Sequence, residues 1–199
     1  MSMQESDEIR ESAVKYDSPD TRLTYDDYCR TPEGLRYELV EGDLRMVPSP
    51  NVFHQEISGR LYEKLLVWVR GQGLGVVYYA PMDVVLSEHN VVQPDLLYVS
   101  RERRGIIKEA NIWGVPDLVV EILSPSTTQW DRVNKRQVYE RFGVRELWFV
   151  DPVGRSIEVA ARNETKLETL QVYLPGTALQ SLILPGLALS LDKLFRQTE

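Results

Sequence analysis

The architecture hinges on the stretch Asp117-Leu118-Val119-Val120-Glu121-Ile122-Leu123-Ser124-Pro125-Ser126. Leu118 to Leu123 is apolar except for Glu121, and a run of this kind reads as a strand covered on both faces. Ser124 to Thr128 is a loop. A helix follows from about Trp130 to Phe142, with Gly143 as its C-terminal cap. Glu146 to Val150 is a second buried strand, closed by Asp151-Pro152. Strand, helix and strand in this order imply a crossover and two parallel neighbours. The expected architecture is α/β, a mixed β-sheet flanked by helices.

Antiparallel hairpins surround this unit. Leu23 to Tyr28 is a short helix capped by Thr24, with Asp26 and Asp27 in its first turn. Tyr37–Val40 and Leu44–Val47 form a hairpin through Glu41-Gly42-Asp43. A helix is expected from about Phe53 to Arg70, its inner face carrying Ile57, Leu61, Leu65 and Trp68. Val76–Tyr79, Met82–Leu86 and Asp95–Val99 read as strands, and Arg101–Ile112 as a loop or short helix. Ser156–Ala161 turns back through Val153-Gly154, Glu168–Tyr173 and Ser181–Leu184 are further strands, and Leu191–Phe195 is a terminal helical turn.

The chain has 199 residues, 43% of them hydrophobic and 27% charged, the balance of a soluble globular protein. We expect a loose tail over residues 1–22 and a single domain over 23–199. No apolar run approaches the roughly 20 residues that span a membrane, and Met1–Arg22 offers no signal-peptide segment. A single cysteine, Cys29, excludes an internal disulfide and suits the cytoplasm. The net charge of −7 argues against a generally basic nucleic-acid binder. Two local basic clusters stand out, Arg101 to Lys108 and Arg132 to Arg141.

Glu121 is the chemically informative residue. A buried carboxylate without a partner costs several kcal/mol, so it calls for a metal, a cation or a proton. Asp95 follows Gln93-Pro94 at the start of another apolar strand. Two carboxylates brought together repel, and a hard divalent cation, Mg²⁺ or Mn²⁺, resolves the repulsion. With only His54 and His89 as histidines, the chain lacks the ligands of a typical zinc site. Asp131, Lys135, Tyr139 and Phe142 share one helical face, so Lys135 lies on the side that faces the core. An Asp131–Lys135 surface pair is the plainer reading of that spacing.

These motifs, in this order, resemble the PD-(D/E)xK nuclease superfamily, specifically its Uma2-like group. The resemblance runs from about Leu23 to Leu194, through Tyr37 to Gly42, His54, Gln93-Pro94-Asp95, Val120 to Ser126, the Asp131/Lys135/Tyr139 helix and Glu146 to Pro152. It implies a restriction-endonuclease-like fold with extra antiparallel hairpins. It implies Asp95 and Glu121 as metal ligands, completed by the Ile122 carbonyl. The superfamily's E-x-K lysine is absent, because Leu123 stands there; on the resemblance, Lys135 would take its place from the following helix. Glu38 or Glu41 would add a carboxylate, His54 would face the cleft, Gln93 would line it, and Tyr139 would bond a ligand carboxylate.

The implied activity is metal-dependent endonuclease cleavage of nucleic acid, DNA ahead of RNA, by a catalytic set of Asp95, Glu121 and Lys135. One alternative is a catalytically inactive nuclease fold used as a binding module. Another is a glycoside hydrolase built on paired acids, which leaves Lys135 without a role. The apolar residues from Leu182 to Leu189 suggest pairing with a second copy, a homodimer.

Overall fold

The computed structural model describes residues 22–124 and 131–196. The expected tail up to Thr21 and the loop residues 125–130 lie outside the described residues. A short helix α1 (Tyr25–Tyr28) leads into the hairpin β1 (Tyr37–Val40) and β2 (Asp43–Met46), then the long helix α2 (Val52–Gly71). Strands β3 (Gly75–Tyr79), β4 (Val84–Ser87), β5 (Asn90–Val92) and β6 (Leu96–Ser100) follow. A 3-10 helix over Arg101–Ile106 precedes β7 (Ile112–Trp113) and β8 (Leu118–Ile122). A π-helical turn, Asp131–Lys135, runs into α3 (Arg136–Phe142). The chain continues through β9 (Glu146–Asp151), β10 (Ser156–Asn163), β11 (Lys166–Tyr173), β12 (Ala178–Leu179), β13 (Leu189–Ser190) and α4 (Leu191–Leu194).

The strands form two main sheets, ordered β11-β10-β9-β8-β6-β3 and β2-β1-β5-β4-β7. As the crossover demands, β8 and β9 are parallel, with Glu121 opposite Phe149. The other pairings of the larger sheet are antiparallel. Alternation along the strands sorts the core. Leu118, Val120 and Ile122 join Ile57, Leu61, Leu65 and Val69 of α2 on one face. Val119 and Leu123 join Val138 and Tyr139 of α3 and Val40 of β1 on the other. The smaller sheet therefore packs over the same face as α3, and this closes the site.

Local signals explain the element ends. Thr24 and Asp27 form a capping box at α1, and the Asn51 carboxamide accepts the His54 N–H at 2.8 Å to start α2. The β1–β2 turn is tighter than its sequence suggests. Glu41 and Gly42 have φ of 55° and 86°, the type I′ geometry that matches strand twist. Asp43 therefore pairs with Val40 instead of sitting in the turn. On α2 the inner face closes with Val69, fully buried, and Trp68 packs at its edge.

The strands expected either side of Pro81 both form, β3 in the larger sheet and β4 in the smaller. One expectation needs correction. Ser181–Leu184 is not a strand. The buried Glu146 carboxylate accepts the Leu182 and Ile183 N–H groups at 2.8 and 3.3 Å, which removes those donors from any ladder. Leu184, Leu187 and Leu189 are buried in the chain's own core beside α2, which leaves Leu182 as the exposed leucine of this stretch. Among the described residues, no helix is long and apolar enough to cross a membrane.

Candidate active site

Strands β6 and β8 bring the acids together. Leu96 pairs with Val120 in antiparallel register, so Asp95 and Glu121 come next on either strand, across from each other. Pleating points both toward the face of Leu97 and Val119, where α3 and the smaller sheet cover them. Glu121 is 3% exposed. Its carboxylate is gripped by two residues one helical turn apart. Lys135 Nζ donates to Oε2 at 3.1 Å, and the Tyr139 hydroxyl donates to Oε1 at 2.5 Å. The shared helical face of Lys135 and Tyr139 thus closes on one acid.

A third carboxylate comes from the other sheet. Glu38 of β1 is buried, and its Oε1 lies 3.0 Å from Lys135 Nζ. The same oxygen accepts the Gln93 N–H at 2.8 Å. Lys135 is itself buried, so one ammonium bridges two buried carboxylates. Burying charge is tolerable only with such close pairing.

Asp95 is held from two sides. Its Oδ2 accepts the Ile122 N–H at 2.7 Å and lies 3.3 Å from His54 Nε2. Burial works to lower the His54 pKa, but the hydrogen bond and charge of Asp95 outweigh it and leave the pKa raised. Ile122 thus meets Asp95 through its amide. These groups line an open cavity of about 1120 Å³.

The donor set bears on a divalent cation. Among the described residues, no three His, Cys, Asp or Glu side chains converge as a ready-made metal cage. Two carboxylates on one face suffice for Mg²⁺, which keeps several waters and takes one or two protein carboxylates. The hard oxygens of Asp95 and Glu121 fit that chemistry, and the shortage of nitrogen and sulfur ligands does not fit zinc.

The structure brings Glu38, His54, Gln93, Asp95, Glu121, Ile122, Lys135 and Tyr139 together. It does not bring Glu41. That residue sits in the β1–β2 turn and pairs with Arg141 at the surface, and the Arg141 hydrogen bond, outweighing the opposing effect of burial, holds its carboxyl below the usual range. Of the two basic clusters, Lys135 enters the site, while several arginines are engaged elsewhere. Arg103 pairs with Asp117, and Arg132 and Arg136 pair with Glu158. The arginines that do line the cavity are Arg36, Arg45, Arg155 and Arg196. Each comes from a separate segment, so no cluster in the sequence announced them.

Residues 23–192 match the model of the Uma2 family, described as "Putative restriction endonuclease". The chain belongs to the Uma2 family. No curated protein matches this Uma2 chain. Among solved structures it resembles the crystal structure of a "putative nuclease belonging to DUF820" from Anabaena variabilis. The TM-score is 0.73 at 22% identity, covering 87% of this chain and 97% of that one. At that identity the likeness is one of fold, and it agrees with the mixed-sheet α/β architecture expected of the Uma2-like group.

Proposed function

We propose that this Uma2 protein is a divalent-metal-dependent endonuclease that hydrolyses phosphodiester bonds in nucleic acid. The observation that carries the reading is Lys135, which reaches Glu121 from the helix after β8 at 3.1 Å. That reach supports a lysine from the crossover helix serving in place of the one that Leu123 leaves out of the superfamily's E-x-K element. Asp95, Glu121 and the Ile122 carbonyl would hold Mg²⁺ or Mn²⁺, which when bound polarises a phosphoryl oxygen and acidifies water.

The protein's own groups do the rest. Lys135 offers its ammonium to charge developing on the phosphoryl oxygens. Tyr139 fixes Glu121 from behind, and the Ile122 amide with His54 fixes Asp95. Arginines on the rim draw the polyanionic strand toward an otherwise acidic chain. DNA is the first substrate to try, RNA the second. A single domain beginning near Leu23, working in the cytoplasm, is part of the same reading. A homodimer would have to form through Leu182, which is exposed, because Leu184, Leu187 and Leu189 of the same run are buried within the chain.

A second reading has one observation in its favour. Lys135 neutralises Glu38 and Glu121 without any metal, as a non-catalytic binding module would need. The deciding experiment is a Mn²⁺-supported nuclease assay on DNA and RNA, comparing wild type with Glu121→Gln and Lys135→Ala. Activity lost in both supports the nuclease. Activity surviving both sinks it as a contaminant, and inactive wild type that still binds nucleic acid favours the module.

A further inference from the structure

The geometry points to Arg36 as a phosphodiester-binding residue of the cleft, aimed by a relay of Tyr28, Asp83 and Gln93. This inference rests on the nuclease reading and assigns a substrate-binding group to it. Arg36 precedes β1, and the Val47 N–H donates to its carbonyl at 2.8 Å, which extends the hairpin by one pair. Arg36 therefore alternates onto the same side as Glu38. Its side chain lines the cavity with Asp95 and His54, and its charge reaches the His54 imidazole.

Arg36 differs from the surface arginines in its partner. Arg30, Arg60, Arg103, Arg132, Arg136 and Arg141 each meet a carboxylate. Arg36 is half-buried, and among the described residues it makes no ion pair. Its Nε donates to the neutral Oε1 of Gln93 at 2.9 Å. That bond holds the guanidinium while leaving both terminal nitrogens for a ligand. A planar fork with two such nitrogens matches two oxygens of one phosphodiester.

The relay sets the fork's direction. Gln93 Nε2 donates to Asp83 Oδ1 at 2.7 Å and to the Tyr28 hydroxyl at 3.1 Å. The Tyr28 hydroxyl donates to Asp83 Oδ1 at 2.8 Å. Burial, then the neighbouring Asp83 charge, push the Tyr28 pKa up, so its proton stays in place. With its amide nitrogen so engaged, Gln93 can present only its oxygen to Arg36. Tyr28, Asp83 and Gln93 are positioning residues; only Arg36 would touch the strand.

The test is fluorescence anisotropy with short labelled DNA and RNA, with Ca²⁺ replacing Mg²⁺, over a salt series. Arg36→Ala should weaken binding about tenfold and lower the slope of log K against log salt by about 1. Arg36→Lys should restore the slope but not the affinity, because an ammonium cannot fork. Gln93→Ala keeps the charge, so it should weaken binding with the slope unchanged, and Arg36→Ala/Gln93→Ala should bind no worse than Arg36→Ala. Lys64→Ala, exposed on α2, should change neither quantity. The inference is overturned if Arg36→Ala and Arg36→Lys keep wild-type affinity and slope. It is equally overturned if Lys64→Ala matches Arg36→Ala, or if the Gln93 and Arg36 losses add. Wild type that binds neither nucleic acid refutes the nuclease reading and takes this inference with it.

Discussion

Replacing Lys135 with Met would leave two buried carboxylates facing each other without the ammonium between them. Met keeps the length and most of the volume of the Lys stem, so lost packing is minor. The electrostatic loss is not. Lys135 Nζ lies 3.0 Å from Glu38 and 3.1 Å from Glu121. At an effective dielectric near 20, each such pair attracts by about 5 kcal/mol. Desolvation of the three ions consumes most of that gross attraction, yet the carboxylates' share of the cost remains when the lysine is gone. The net destabilisation expected is about 3–5 kcal/mol, the range for breaking a buried pair from one side. For a chain of this size that is a fall of about 10 °C in Tm.

The assay is thermal and urea unfolding at neutral pH, with and without Mn²⁺. Glu38→Gln added to Lys135→Met should recover part of the loss, since it removes a charge left uncompensated. Such non-additivity is the signature of residues in contact. Saturating Mn²⁺ should stabilise Lys135→Met more than wild type, because the cation then meets acids that have lost their shared ammonium. Stability of Lys135→Met within about 1 kcal/mol of wild type would refute the buried bridge. Equal Mn²⁺ stabilisation of both proteins would refute the idea that lysine and metal answer the same negative charge.

Further expectations concern activity and two structural acids. Asp95→Asn and Glu121→Gln should each cut Mn²⁺-dependent phosphodiester cleavage about hundredfold or more, measured as initial rates; full activity in either would remove it from the metal site. Asp117 is buried, and although burial raises its pKa, the Ser100 N–H and then Arg103 and Arg145 lower it overall. Its stabilising contribution is therefore present at neutral pH and lost as the pH falls through its folded pKa. Asp117→Asn should be less stable than wild type at neutral pH and converge with it in acid; a gap that persists would show that packing, not charge, was lost. Glu146→Ala strands the Trp148 indole N–H and two backbone N–H groups that Glu146 now accepts. It should cost about 3 kcal/mol in urea titrations, and a change below about 0.5 would contradict the role given to this acid.

Much of the frame was legible because it rests on local rules. The Thr24 cap, the α2 face, the β8–helix–β9 crossover and the Gly143 stop follow from spacing and backbone preference. So does the shared face of Lys135 and Tyr139, since positions four apart on a helix stack on one side. Element edges were less legible. The type I′ turn shortened the first loop by placing Asp43 in β2. Ser181–Leu184 has strand-like composition, but the Glu146 carboxylate captures its amides. That acid lies far away in the chain, where no local pattern can register it.

Residue order alone makes Glu121 a charge inside a buried strand, has Asp95 open a strand of the same kind, and turns Lys135 inward. Alternation and helical period are enough for that. Who answers those charges is a matter of tertiary packing. Glu38, not Glu41, shares Lys135, because β1 belongs to a second sheet laid across the first and its pleat turns Glu38 inward. Arg36, Gln93, Asp83 and Tyr28 meet through the same layering. Contacts between sheets depend on how two surfaces stack, and that depends on the whole core packing at once.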